Sequence, residues 1–152
     1  MKALSCGDFP LTMEYFEEAL RIGKKVYGDK HPEVAIRLSN LGNAWKALGE
    51  AQKAIGYYEE ALRICKKVYG DEHPDVGTSI NNLGTAWHAF GDAKKAIEYF
   101  EEALKIDKKV YGDEHPKVAI RLNNLGTAWQ ALGDAKKATG YFEKALKIGK
   151  KV

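Results

Sequence analysis

Residues 66–74 read KKVYGDEHP. The same nine letters return at 108–116, and KKVYGDKHP stands at 24–32. Each copy sets a histidine beside acidic residues, so the stretch is either a metal or catalytic motif in triplicate or punctuation between helices. The copies are 42 residues apart, and the text between them repeats with the same period. EYFEEALRIGKKVYG begins at Glu14, GYYEEALRICKKVYG at Gly56, EYFEEALKIDKKVYG at Glu98 and GYFEKALKIGKKV at Gly140. The other half of each unit returns as SNLGNAWKALGEAQKA from Ser39, NNLGTAWHAFGDAKKA from Asn81 and NNLGTAWQALGDAKKA from Asn123. Of the 40 aligned pairs between 71–110 and 113–152, 29 are identical, a closeness that points to recent duplication or to design. A period in this range marks a repeat architecture.

Each unit reads as two helices. Val76, Ile80, Leu83, Gly84 and Trp87 fall on one face of a helix A. Phe90-Gly91-Asp92 breaks it, since glycine suits a C-cap and aspartate an N-cap. A helix B follows, with Ala93, Ala96, Ile97, Phe100, Ala103, Leu104 and Val110 on its apolar side. Glu98, Glu101 and Glu102 lie early in it and Lys105, Lys108 and Lys109 late, an order that complements the helix dipole. Gly112 ends helix B, and Pro116 fits the first turn of the next helix A, where its missing N–H costs nothing. The nine-letter stretch is therefore a connector, with the histidine at or beside an N-cap. As a metal site it is poor. His31, His73 and His115 belong to successive units, packed helices lie about 8–10 Å apart, and one histidine with one or two carboxylates is too sparse for a closed zinc shell.

The 152 residues, 45% hydrophobic and 30% charged, suit one soluble domain. No apolar run approaches the ~20 residues of a membrane helix, and the start MKALSCGDFP lacks a signal-peptide core. A cytoplasmic location is expected, and Cys6 and Cys65 suggest a reducing compartment more than a disulfide scaffold. A net charge of +3 is a weaker bias than nucleic-acid binders usually show. There is no nucleophile elbow, phosphate-binding glycine loop, CxxC or HExxH. Neither an enzyme nor a cofactor or metal is expected.

The spacing Leu41-Gly42-x-x-Trp45…Ala54-x-x-x-Tyr58-x-x-Ala61 recurs as Leu83-Gly84-x-x-Trp87…Ala96-x-x-x-Phe100-x-x-Ala103 and as Leu125-Gly126-x-x-Trp129…Ala138-x-x-x-Phe142-x-x-Ala145. This pattern resembles the tetratricopeptide repeat. It departs by carrying Leu38, Ile80 and Leu122 where the family has tryptophan, and by a period longer than the family's 34. The longer period, the G-D-x-H-P-x-V connector and the paired asparagines are similar to the kinesin light chain subtype. The resemblance implies an all-α, right-handed superhelical α-solenoid of antiparallel helix pairs, about seven helices in all. The array divides into a half repeat at 1–28 and full repeats at 29–70, 71–112 and 113–152. In the half repeat, Gly7-Asp8 aligns with Gly91-Asp92, so a break is expected there, with Pro10 in the first turn of a helix B.

The helical wheel places Thr78, Asn81, Thr85 and His88 opposite the buried stripe of helix A. The matching rows are Ile36, Ser39, Asn43 and Lys46 in the first full unit and Ile120, Asn123, Thr127 and Gln130 in the third. The resemblance implies that helices A line a concave groove and that Asn81 and Asn123 bind an extended peptide there. An amide can pair with both a peptide N–H and a peptide C=O. The second asparagines, Asn40, Asn82 and Asn124, are expected to bond neighbouring backbone between helices. Arg37 and Arg121, one position off the row, would lend a basic edge, with Ser79 in the matching place. Lysine pairs such as Lys66-Lys67 read as a solvated surface, and Trp45, Trp87, Trp129 and the tyrosines ending the helices B read as core. Two functions compete. One is a scaffold that binds a peptide or partner helix in the groove; the other is a structural array that self-associates through uncapped ends.

Overall fold

The computed structural model describes the backbone of residues 2–151 and the side chains of 11–150. Among the described residues there are seven α-helices and no strand. They are α1 (Lys2–Tyr27), α2 (Pro32–Ala47), α3 (Ala51–Tyr69), α4 (Pro74–Phe90), α5 (Ala93–Tyr111), α6 (Pro116–Leu132) and α7 (Ala135–Lys151). Helices α2, α4 and α6 are the A helices; the others are B helices. The chain forms two compact units, residues 1–68 and 69–152. In the first, α1 packs on α2 and α2 on α3; in the second, α4 to α7 pack in chain order and α4 also touches α6.

One expected boundary is absent: α1 runs unbroken through Gly7-Asp8. Val152 and the side chain of Cys6 lie outside the described residues.

The connectors are built as punctuation. Gly28, Gly70 and Gly112 adopt φ of 88°, 88° and 92°, a region that favours glycine. The chain then turns back on itself, and the next helix opens on proline. The Nδ1 atoms of His31, His73 and His115 accept the backbone N–H of Glu33, Asp75 and Lys117 at 3.0, 3.0 and 3.1 Å. Each histidine is thus an N-cap, satisfying a donor that the first helical turn leaves open. Its ring stacks on the tyrosine four residues before it, with centroids 4.5, 4.2 and 4.3 Å apart for Tyr27–His31, Tyr69–His73 and Tyr111–His115. These tyrosines are not core, as the sequence reading had them: Tyr27 and Tyr69 are exposed and hold the connector from outside. Val110, beside Tyr111, is exposed as well.

Between A and B helices, a glycine meets a ring. A Cβ added at Gly42, Gly84 or Gly126 would lie 2.5 Å from the Cε1 atom of Tyr58, Phe100 or Phe142. No side chain fits, so the backbone of helix A rests directly on the aromatic edge. Val34, Leu38 and Leu41 of α2, Val76, Ile80 and Leu83 of α4, and Val118, Leu122 and Leu125 of α6 are buried around these contacts. Leu125, Ala128, Ala96, Ile97 and Phe100 form one cluster, and Val118, Leu122, Ala145 and Ile148 another.

The buried seam between α5 and α6 holds an ion pair that the sequence reading missed. Arg121 Nε donates to Asp107 Oδ2 at 2.7 Å, and both residues are buried. Arg121 is therefore not a basic edge. Arg37 is not one either: its Nη1 donates to the carbonyl of Ala19 on α1 at 2.8 Å, and its stem lies over Gly23.

Two glycine substitutions separate contact from propensity. Gly84→Ala is expected to destabilise the fold by about 1–3 kcal/mol, because overpacking against Phe100 outweighs the gain in helix propensity. Gly140→Ala, where an added Cβ meets nothing within 4 Å, is expected to stabilise by up to about 1 kcal/mol. Urea denaturation of the two variants reads both signs.

Candidate peptide-binding face

The candidate rows sit on the A helices, and the two units hold them differently. In the second unit, Asn124 Nδ2 on α6 donates to Asn81 Oδ1 on α4 at 2.9 Å. This amide pair joins neighbouring A helices side to side. Asn124 thus bridges helices as expected, but to a side chain and not to backbone. Asn81 is buried in consequence, at 9% relative exposure. Its carbonyl oxygen serves the pair.

The rest of the α6 row faces outward. Asn123, Thr127 and Gln130 are exposed, and Ile120 at the head of the row is 52% exposed. On α4, Thr78 is exposed while Thr85 and His88 are half-buried. The threonine hydroxyls turn onto their own helix: Thr85 Oγ1 donates to the Asn82 carbonyl at 2.7 Å and Thr127 Oγ1 to the Asn123 carbonyl at 3.0 Å. Such back-bonding is ordinary for hydroxyls in a helix, and it presents the methyl groups elsewhere.

In the first unit the same places carry different chemistry. Asn43 Oδ1 accepts a hydrogen bond from the Tyr58 hydroxyl on α3. Where the B helix has Phe100 or Phe142 instead of tyrosine, the A helix has Thr85 or Thr127 instead of asparagine. The swap is chemically paired, since a buried phenol needs an acceptor. Burial pushes the Tyr58 phenol up to about 12. Lys46, whose ammonium lies 5.9 Å from the Tyr58 ring centroid, is held below the usual lysine range by burial. Ser39 is half-buried and Ile36 is 54% exposed.

The tryptophans are half-buried at the edge of the A–B contact. Lys53, Lys95 and Lys137 stand over the rings of Trp45, Trp87 and Trp129, 4.1, 4.7 and 4.2 Å from their centroids. The surface lysines are spent partly on neighbours: Lys109 pairs with Glu72 at 2.8 Å, and Lys24 lies 3.7 Å from Glu60. Lys109 holds the Glu72 carboxyl below its usual range. Sequence reasoning missed the tyrosine–histidine stacks, although the fixed YGDxH spacing carried them. It also missed the Asp107–Arg121 pair, whose signal was an acid at 107 alone among four otherwise matching positions. No described helix is long and apolar enough to cross a membrane.

The tetratricopeptide repeat family profile matches residues 3–67, 45–109 and 88–151. Among solved structures, BtubC (BKLC) from P. vanneervenii aligns with a TM-score of 0.84 and 30% identity over 93% of this chain, which spans 57% of that one. A Podosopora anserina protein described as a kinesin light chain, with nearly identical TPR-like repeats, aligns with a TM-score of 0.81 and 28% identity over 97% of this chain and 70% of that one. The TPR domain of Arabidopsis FLU, 19% identical, aligns over 78% of this chain and 96% of that one with a TM-score of 0.68, a likeness of fold. No curated protein matches the sequence.

Tyr58 gives the first unit an alkaline signature. Its folded pKa lies above the unfolded value near 10, so its contribution is fully present below pH 10 and is lost as pH rises toward 12. The parent protein is expected to lose stability over that window relative to Tyr58→Phe, by roughly 1 kcal/mol per pH unit. Urea midpoints measured at pH 8, 10 and 11.5 test this; parallel curves would contradict it.

Proposed function

This chain belongs to the tetratricopeptide repeat family, and on that premise we propose that it is a scaffold taking an extended peptide or partner helix along its A helices. Proteins of this fold generally hold other proteins together. We divide the array as a half repeat at 1–28 and full repeats at 29–70, 71–112 and 113–152. The observation that carries the reading is the Asn124–Asn81 bond. It sets the rows of α4 and α6 side by side, with Ile120, Asn123, Thr127 and Gln130 open to solvent beside them. An isoleucine anchor, amide donors and acceptors, and a second helix alongside suit a peptide backbone read with little side-chain selectivity. Ser39, Asn43 and Lys46 offer a less amide-rich version on α2.

A random-peptide display screen compares the parent with an Asn123→Ala/Gln130→Ala variant. Both residues are exposed, so the variant keeps the core and the Asn124–Asn81 pair. The expected outcome is a peptide family that binds the parent and is lost, or weakened about tenfold, in the variant, a factor of two lost hydrogen bonds. Equal binding by both removes the groove reading.

A second reading, self-association, is favoured by Leu146 of α7. It is 60% exposed, whereas its counterpart on α5, Leu104, packs against both core clusters of the second unit. Sedimentation equilibrium at rising concentration is expected to show association that Leu146→Glu reduces; a monomer throughout contradicts it.

A further inference from the structure

We propose that the first unit carries a cation site, separate from the A-helix rows, that takes the guanidinium of an arginine on a partner peptide. The site is a surface pocket of about 400 Å³ lined by Glu17, Trp45, Lys53, Gly56, Tyr57 and Glu60, from helices α1, α2 and α3. None of these is a residue of the rows described above.

Four observations converge on a cation. The Trp45 ring already holds one in cis, with Lys53 Nζ 4.1 Å from its centroid. Tryptophan offers the strongest π face for this contact. The pocket wall adds two carboxylates, Glu17 and Glu60, beside Lys53. Glu60 also lies 3.7 Å from Lys24, with both side chains more than a third exposed; such surface pairs are weak and exchange readily. Gly56 leaves the wall open, since a Cβ there would meet nothing within 4 Å. The corresponding position in the next unit is Glu98, and in the last unit Lys144 replaces Glu60. Aromatic platform, opening and both carboxylates thus coincide in the first unit alone among the full repeats.

The chemistry of this lining favours arginine over lysine. A guanidinium is flat and weakly hydrated, stacks on an indole face, and reaches carboxylates at its edge through a fork of donors. An ammonium stacks less well and is costlier to desolvate. Lys53 acts as a tethered occupant. An incoming arginine displaces it, and the lysine swings to solvent on its flexible stem.

The probe is acetyl-Gly-Arg-Gly-amide, with its citrulline counterpart as the uncharged isostere. Binding is read by NMR at the three indole N–H signals, assigned with Trp45→Phe and Trp87→Phe. The arginine peptide is expected to move the Trp45 signal saturably at millimolar concentration, leaving Trp87 and Trp129 in place, while the citrulline peptide does not. Lys53→Ala is expected to tighten binding about threefold, the factor of one exposed cation–π contact no longer competing. Glu17→Gln is expected to weaken it by a similar factor, and Gly56→Leu to abolish it by filling the opening. All three positions tolerate change, being exposed. An unmoved Trp45 signal, an equal response to citrulline, equal movement of all three indoles, or no tightening in Lys53→Ala would each overturn the proposal. Failure here leaves the A-helix rows untouched, because the two sites share no residue.

Discussion

The contact between a glycine and an aromatic edge sets how closely helices A and B of a pair approach. With no Cβ at Gly42, Gly84 or Gly126, helix A approaches until its backbone touches the ring of Tyr58, Phe100 or Phe142. That closeness carries the aliphatic side chains one turn away into full burial. It also leaves the tryptophan three residues later at the margin, wide enough to need a lysine over its exposed face. The substituents on the ring then dictate their neighbours: a phenol at 58 has an amide at 43 to receive it, and a bare phenyl ring has a threonine that bonds its own helix.

The connectors extend the same economy to polar groups. The imidazoles of His31, His73 and His115 are committed through Nδ1 to capping and through the ring face to tyrosine. Asn81 and Asn124 are committed to one another. Among the groups left open to solvent are a row of amides, hydroxyls and an isoleucine on α6 and an aromatic recess with two carboxylates in the first unit. Both are the surfaces proposed to hold another molecule, in keeping with a repeat family that generally serves as a protein-interaction scaffold.

Periodic features were legible in the sequence. The YGDEHP stretch, the Gly–ring spacing and the acidic-to-basic gradient of helix B each recur, and recurrence turns a weak local signal into a strong one. Features that occur once were not. Arg121 sits one position from the outward row, and the 100° turn of a single helical residue is what carries it into the seam beside Asp107. A wheel assigns faces but not the neighbour across each face, so it gives no sign that Asn124 of α6 lies against Asn81. At Gly7-Asp8 the local break signal was real in the later units, where a full helix follows on each side. At Gly7-Asp8 the helix α1 nevertheless runs on without a break.

Near-identity between repeats carries a hazard of its own, since any A helix offers almost the same apolar face to any B helix and the wrong partner can dock. The buried ion pair removes part of that degeneracy. Were α4 to settle on α5 in the place of α6, Asp107 would meet Ser79 instead of a guanidinium and keep an uncompensated charge in the interior, a penalty of about 3–5 kcal/mol. Arg37, which lies over Gly23 and reaches the Ala19 carbonyl, is likewise matched to a seam where glycine stands in the place of Asp107. A charge pair of little net worth to the finished fold thereby acts as an address, telling otherwise interchangeable helices where each belongs.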